Sequence, residues 1–175
     1  MEAMNFNTKE NQTVARELLL LCLNTGTPEA PVWSPVGKRV TDSTMSYDWK
    51  KETSTDIMGI NYTQLSKPLI TQTFDPWQLD SADKAQKQIW NTGIRDQDPE
   101  ALANMDMIVI HKYVGTANTA MFTERYSACA VVPNSLGGSN KVAMPIEVTF
   151  GGERTIGTAA IVDGAFTFTP DGAVN

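Results

Sequence analysis

The chain has 175 residues, 41% of them hydrophobic, which suits one domain with a real core. With 14 Lys and Arg against 20 Asp and Glu the net charge is −6, and the pI is near 4.7. That balance excludes a protein that grips nucleic acid through clustered cations, but not one past which nucleic acid slides without sticking.

The first dozen residues are polar and are expected to form a flexible arm. They lack the basic region of a secretory signal, so a soluble cytosolic product is expected. Leu18–Leu23 is the longest apolar run, far short of a membrane span, and Asn24-Thr25-Gly26-Thr27-Pro28 closes it as a buried strand. Pro28–Pro35, with three prolines and Trp33, reads as an extended connection. Strands are expected at Val36–Val40, Ser43–Lys51, Asp56–Ile60 and Tyr62–Phe74, with Pro68 marking an edge or a bulge.

The period then changes. Leu79, Ala82, Ile89 and Trp90, with Ala85 or Gln86, make an apolar stripe that predicts a helix over Asp80–Thr92. Asp80 is the expected cap, Asp83 favours the positive end of the helix dipole, and Gly93 is the expected stop. A short helical turn fits Pro99–Ala103. Beyond Asn104 the pattern is all strand. Met105, Met107, Val109, His111 and Tyr113 share one face, with Asp106, Ile108, Ile110 and Lys112 on the other. Met121–Val132 follows, and then Val142, Met144, Ile146, Val148 and Phe150 alternate with polar or small residues. Gly151-Gly152 is expected to be a tight hairpin turn before a strand over Arg154–Val162, and Asp163-Gly164 turns into Ala165–Thr169. The fold class is mainly β: a sandwich or barrel of antiparallel strands, one flanking helix near residues 80–92, and a long projecting hairpin.

Chemistry is sparse. His111 is the single histidine and sits mid-strand, where packing accounts for it and no motif supplies catalytic partners. Asp75, Asp80 and Asp83, and then Asp96, Asp98 and Glu100, cluster without the spacing of a calcium loop. Cys22 and Cys129 lie in apolar runs and read as small buried hydrophobes rather than a disulfide. Gly137-Gly138 and Gly151-Gly152 do not lead from a strand into a helix, so they are not phosphate cradles. Trp33, Trp49, Trp77 and Trp90 fit either core and interface packing or a sugar-stacking set. No catalytic residue, metal ligand or cofactor is assigned. The stretch Val36–Gly59 is the open question: Met45, Tyr47 and Trp49 alternate like a strand, then Lys50–Thr55 is wholly polar. A lid, a binding arm and an ordinary loop all fit, although no catalytic group gives a lid anything to cover.

The run WSPVGKRVTDSTMSYDWKKETSTDIMG, followed by Thr71–Pro76 and the helix ending in Ile89-Trp90, resembles bacteriophage major tail tube proteins. The opening ARELLLLCLNTG and its Pro-rich sequel are similar to members of that group, and the resemblance spans roughly residues 14–162. It implies a flexible arm over residues 1–13 and one tail-tube β-sandwich domain over 14–175. Six subunits would close their inner sheets into a ring, and rings would stack into a hollow tube that delivers the genome to the host cell. The hairpin would then contact a neighbouring subunit or ring through Tyr47, Trp49, Lys50, Lys51, Glu52, Thr53, Ser54, Thr55, Asp56, Asn61 and Tyr62. Implied partners are further copies of the chain, a tail-tip or baseplate initiator, and tape-measure and tail-terminator proteins. DNA would pass through the lumen without specific binding, no membrane would be engaged, and the product would be a virion tail component assembled in the host cytoplasm. Some family members carry a C-terminal immunoglobulin-like domain; a sequence ending at Asn175 implies a minimal subunit. A tube of a contractile injection machine would share the fold, and a carbohydrate-binding β-sandwich is the alternative from another class.

Overall fold

The computed structural model describes residues 5–172. A 3-10 turn (Arg16–Leu18) leads into β1 (Leu19–Asn24), β2 (Trp33–Pro35) and β3 (Met45–Asp48). Next come β4 (Lys51–Thr55), β5 (Asn61–Leu65) and β6 (Leu69–Phe74). The helices are α1 (Lys84–Trp90), which runs on as a π-helical turn (Asn91–Arg95), and α2 (Pro99–Ala103). The chain ends in β7 (Met105–Thr116), β8 (Ala120–Pro133), β9 (Ile146–Thr149), β10 (Arg154–Val162) and β11 (Ala165–Pro170).

Six antiparallel strands in the order β10-β11-β2-β1-β7-β8 form a closed barrel, sealed where β8 pairs with β10. β8 is long, at 14 residues, and serves two sheets. Met121–Tyr126 pairs with β10, and beyond it Ala130–Pro133 pairs with β9. From β9 the second sheet continues through β6 to β3.

Gly151-Gly152 is therefore not the expected hairpin turn. β9 and β10 both run along the same flank of β8, so the glycines mark a corner where one long strand passes from the second sheet into the barrel. A Cβ on Gly152 would lie 2.5 Å from Ser127 Oγ and 2.6 Å from Ala128 N, at a φ of +75°. Only glycine fits that close approach without strain.

Two cores follow from this plan. All six barrel strands send apolar side chains inward, among them Cys22, Trp33, Ile108, Ile110, Met121 and Ala159, with Phe166 and Phe168. On the outer face of the barrel, Leu21, Leu23, Met107 and Val109 pack against Ile70, Phe74, Ile146 and Val148 of the second sheet. Trp77 and Ile89 fill the space beside α1. β7 is consequently covered on both faces, with Met107 through Ile110 fully buried.

Several expected boundaries move. Trp33 belongs to a strand rather than a connection, pairing with Asn24 and with Phe166. Val36–Val40 is a turn, with Val40 N–H bonding Gly37 O at 3.0 Å, because Gly37 breaks the run. The helix starts at Lys84, not Asp80: Asp83 is the cap, its Oδ1 accepting from Gln86 N–H at 3.0 Å. Asp80 instead binds Lys38 at 2.8 Å, which holds its carboxyl down to about 2. Gly93 does not stop the helix. It lies inside the π turn, where a Cβ would come 2.7 Å from Pro133 Cγ, so the helix continues to Arg95 by lying close on β8. Pro99–Ala103 is helical as expected, capped by Asp98. At the N-terminal end, Phe6 bridges Val114 and Asn7 N–H bonds Tyr113 O at 2.9 Å, so the chain lies against β7 here; the first four residues fall outside the described range. No helix among the described residues is long and apolar enough to cross a membrane.

Candidate assembly surface

β3 and β6 pair in the second sheet, and their continuations β4 and β5 leave the body as a two-stranded arm. Register jumps from Asp48↔Leu69 to Lys51↔Leu65, so Trp49-Lys50 faces three residues, Ser66-Lys67-Pro68. Pro68 has no N–H to donate and sits at this irregularity, as a strand proline must. Ser66 N–H to Lys50 O at 3.0 Å restarts the ladder. Five residues per strand give the arm a reach of about 17 Å.

Every residue of β4 and β5 is exposed. The shaft is tied by polar pairs: Thr53 and Thr63 hydroxyls meet at 3.3 Å, and Thr55 Oγ1 donates to Asn61 Oδ1 at 2.6 Å. Asp56 builds the turn. Its Oδ1 accepts from Met58 N–H (2.8 Å) and Ile60 N–H (2.9 Å), and its Oδ2 accepts from the Tyr62 hydroxyl at 3.3 Å. These bonds, the Ile60 amide first, hold its carboxyl below the ordinary value.

The expected strand at Asp56–Ile60 is thus the tip, and the tip is not polar. Ile57 and Met58 are 106% and 80% exposed, and Ile60 is also open. The polar run Lys50–Thr55 forms the shaft below. Of the residues expected to make contacts, Tyr47 lies at the root opposite Ile70, Trp49 and Lys50 at the irregularity, and Lys51 to Thr55, Asn61 and Tyr62 on the shaft. Ile57, Met58 and Ile60 were not among the residues expected to make contacts, although these three apolar residues stand around Gly59 just after the polar run.

The second sheet has an outer face as well as edges. Register places Ser46, Asp48, Leu69, Thr71, Thr73, Glu147, Thr149, Ala130 and Val132 on the side away from the core. Two carboxylates and no cation stand there. Among the described residues its edge strand β3 has no partner beyond it, and Ala130–Pro133 extends past the start of β7, which begins at Met105 opposite Cys129.

Behind the arm root lies a buried ionic cluster on the outer barrel face. Glu124 Oε2 accepts from His111 Nε2–H at 2.9 Å, and His111 Nδ1 lies 2.9 Å from the Tyr113 hydroxyl. Glu124 Oε1 accepts from Arg154 Nε–H at 2.7 Å and from the Tyr126 hydroxyl at 3.2 Å. Burial pushes the Glu124 carboxyl up, but the His111 and Arg154 bonds outweigh it and leave it below the usual range. With both oxygens held by donors from three strands, this carboxylate ties β7, β8 and β10 together. A second pair closes one end of the barrel: Arg125 bonds Asp106 through Nε and NH2 (2.9 and 2.8 Å), with its guanidinium 5.8 Å from the Trp33 ring centroid.

The cysteines are free and buried, and burial pushes both thiols up to about 12. Among the described residues no group of three or more His, Cys, Asp and Glu could hold a metal ion. Trp33 and Trp77 are buried, at 5% and 0% exposed, so they offer no stacking face to a sugar.

No family model matches the chain, and no curated protein does. Solved structures resemble the chain in shape at low identity, three of them as follows. The cap of the anti-feeding prophage, described as its tube-terminating cap, matches at a TM-score of 0.47 and 15% identity, over 87% of this chain and 96% of that one. The sheath–tube complex of an extracellular contractile injection system, PVC, in its extended state matches at 0.47 and 9%, over 84% and 93%. The sheath/tube terminator of that system matches at 0.47 and 10%, over 85% and 99%.

Proposed function

We propose that this chain is a structural subunit of a phage tail tube, associating with copies of itself into six-membered rings that stack around a channel for the genome. The observation that carries the reading is a four-stranded sheet joined to a closed barrel. The barrel has spent its edges on itself, while among the described residues the sheet keeps β3 unpaired on one side and, on the other, Ala130–Pro133, which pairs with no strand beyond β9 and lies beside the π turn. Open edges recruit further strands, and two different edges on one subunit join head to tail, the arrangement that closes into a ring.

The sheet's outer face would then line the channel. Asp48 and Glu147 without a cation make a wall that repels nucleic acid, consistent with DNA passing without specific binding. The arm residues Tyr47, Trp49, Lys50 to Asp56, Asn61 and Tyr62 would contact neighbouring copies. An initiator at the tail tip, a tape-measure protein and a terminator would bound the stack, within a virion assembled in the host cytoplasm. The role is mechanical rather than enzymatic.

Negative-stain electron microscopy of concentrated purified protein tests this. Rings or short tubes with a central hole are expected. A protein that stays monomeric at every concentration, even with tail-tip proteins added as nuclei, refutes it.

A further inference from the structure

Gln72 is the polar residue on the core-facing side of β6. Ile70 and Phe74, which flank it on that side, are buried apolar residues, and Gln72 itself is 3% exposed. Its Nε2 donates to Ser43 Oγ at 3.0 Å. The Ser43 hydroxyl gives its single hydrogen to Thr73 O at 2.8 Å, so it has none to return. Gln72 Oε1 is left with no hydrogen-bond partner. Buried acceptors are nearly always met, so a donor from outside the fold is called for.

Gln72 lines a cavity of about 310 Å³ between β1 and β6, beside the connection from Val36 to Ser43. Its lining is mixed. Leu19, Leu21, Val40 and Phe74 supply apolar walls, while Arg16 and Glu17, both exposed, stand at the mouth. Arg16 is held in place: Nε and Nη2 donate to Ser43 O (3.1 and 2.8 Å) and Nη1 donates to Leu19 O (2.7 Å). Those acceptors are neutral carbonyls, and the guanidinium keeps N–H groups to spare. Among the described residues neither Arg16 nor Glu17 forms a salt bridge.

We propose that this cavity binds a free amino acid whose aromatic ring carries a hydrogen-bond donor, tyrosine or tryptophan. Each part of that ligand answers a part of the site. Successive residues at the mouth carry opposite charges, which suits an α-carboxylate on Arg16 and an α-ammonium on Glu17; a ligand of one charge would meet a like charge there. The apolar walls take the ring. The phenol O–H or indole N–H donates to Gln72 Oε1, the acceptor that the fold leaves unmet. The volume is roughly twice the ~150 Å³ that admits benzene, and at the small end of the range for small-molecule sites. This site is independent of how copies of the chain assemble.

Equilibrium dialysis of radiolabelled L-tyrosine against the full chain, with unlabelled competitors, tests it. Saturable binding at one tyrosine per chain is expected. Phenylalanine should compete at least tenfold more weakly, because it leaves Oε1 unpaired. Tyramine, which lacks the carboxylate that Arg16 would hold, should also be at least tenfold weaker. Gln72→Met keeps the length of the side chain and removes the acceptor, so it should bring tyrosine down to the affinity of phenylalanine and leave phenylalanine unchanged. Absence of saturable binding by both tyrosine and tryptophan overturns the proposal, and Gln72 then holds no more than a water. Equal competition by tyrosine and phenylalanine in the native chain overturns it as well, and that comparison stands whether or not the variant folds.

Discussion

Glu124 shows how much one buried side chain can hold. It is 7% exposed and ties β7, β8 and β10 together through His111, Tyr126 and Arg154. Removing one member of a buried ionic cluster leaves the others with unmet charge, at a cost of several kcal/mol. Arg154 reaches half into solvent, so Glu124→Ala should cost about 3 kcal/mol, at the lower end of that range. Urea unfolding would show it as a lower midpoint at unchanged slope. The pH dependence has a definite sign. The folded carboxyl lies below its unfolded value of about 4.3, so its stabilisation is complete above that pH and is lost as pH falls through the folded value. The gap in stability between wild type and Glu124→Gln should accordingly be widest near neutrality and narrow below about pH 4. A gap that stayed constant into acid would mean the carboxylate's charge contributes nothing.

At the scale of elements, the corner at Gly152 decides whether one strand can serve two sheets. Gly152→Ala should lower the melting temperature by several degrees, since a Cβ there meets Ser127 Oγ and Ala128 at a positive φ. Gly164→Ala also has a positive φ, but its Cβ would meet nothing within 4 Å, so it should cost only about 1 kcal/mol. Equal losses in the two proteins, read by calorimetry, would remove the steric account of the corner. The same corner marks where sequence reading stopped. The strands expected over 105–113, 121–132 and 165–169 fall on β7, β8 and β11, and the helical turn expected over Pro99–Ala103 is α2. A Gly-Gly pair between alternating runs signals a hairpin, yet which strand each run pairs with is a non-local fact, and here both chose β8. β2 escaped because three residues are too few to show a period. The Glu124 cluster was invisible for a related reason: Glu124 and Arg154 are 30 positions apart and meet only once the barrel closes. The arm's existence was legible in Met45, Tyr47 and Trp49, but its apolar tip was mistaken for strand because Ile57 and Ile60 are good strand formers.

For the whole molecule, the division of labour is between a barrel that closes on itself and a sheet that does not. If β3 of one copy joins the Ala130–Pro133 side of the next, Ser46→Cys and Val132→Cys in one chain should form disulfides between copies. Within a copy these positions are three strands apart, about 14 Å, too far to bridge. Bands up to a closed hexamer on a non-reducing gel are the expected result, and a purely monomeric product would exclude that edge pairing. The sheet's outer face then becomes the wall of the channel, and its charge can be inverted without touching the core, since Asp48 and Glu147 both point away from it. Purified wild-type tubes should retain almost no DNA in a filter assay at low salt, because a wall of carboxylates releases no counterions. Tubes of an Asp48→Lys, Glu147→Lys variant present a ring of cations at every layer instead. They should retain DNA at 50 mM salt and release most of it by 200 mM, following the steep salt dependence of phosphate contacts. Equal retention by the two tubes would place this face away from the DNA path, leaving the subunit's assembly intact but its channel wall on a different surface.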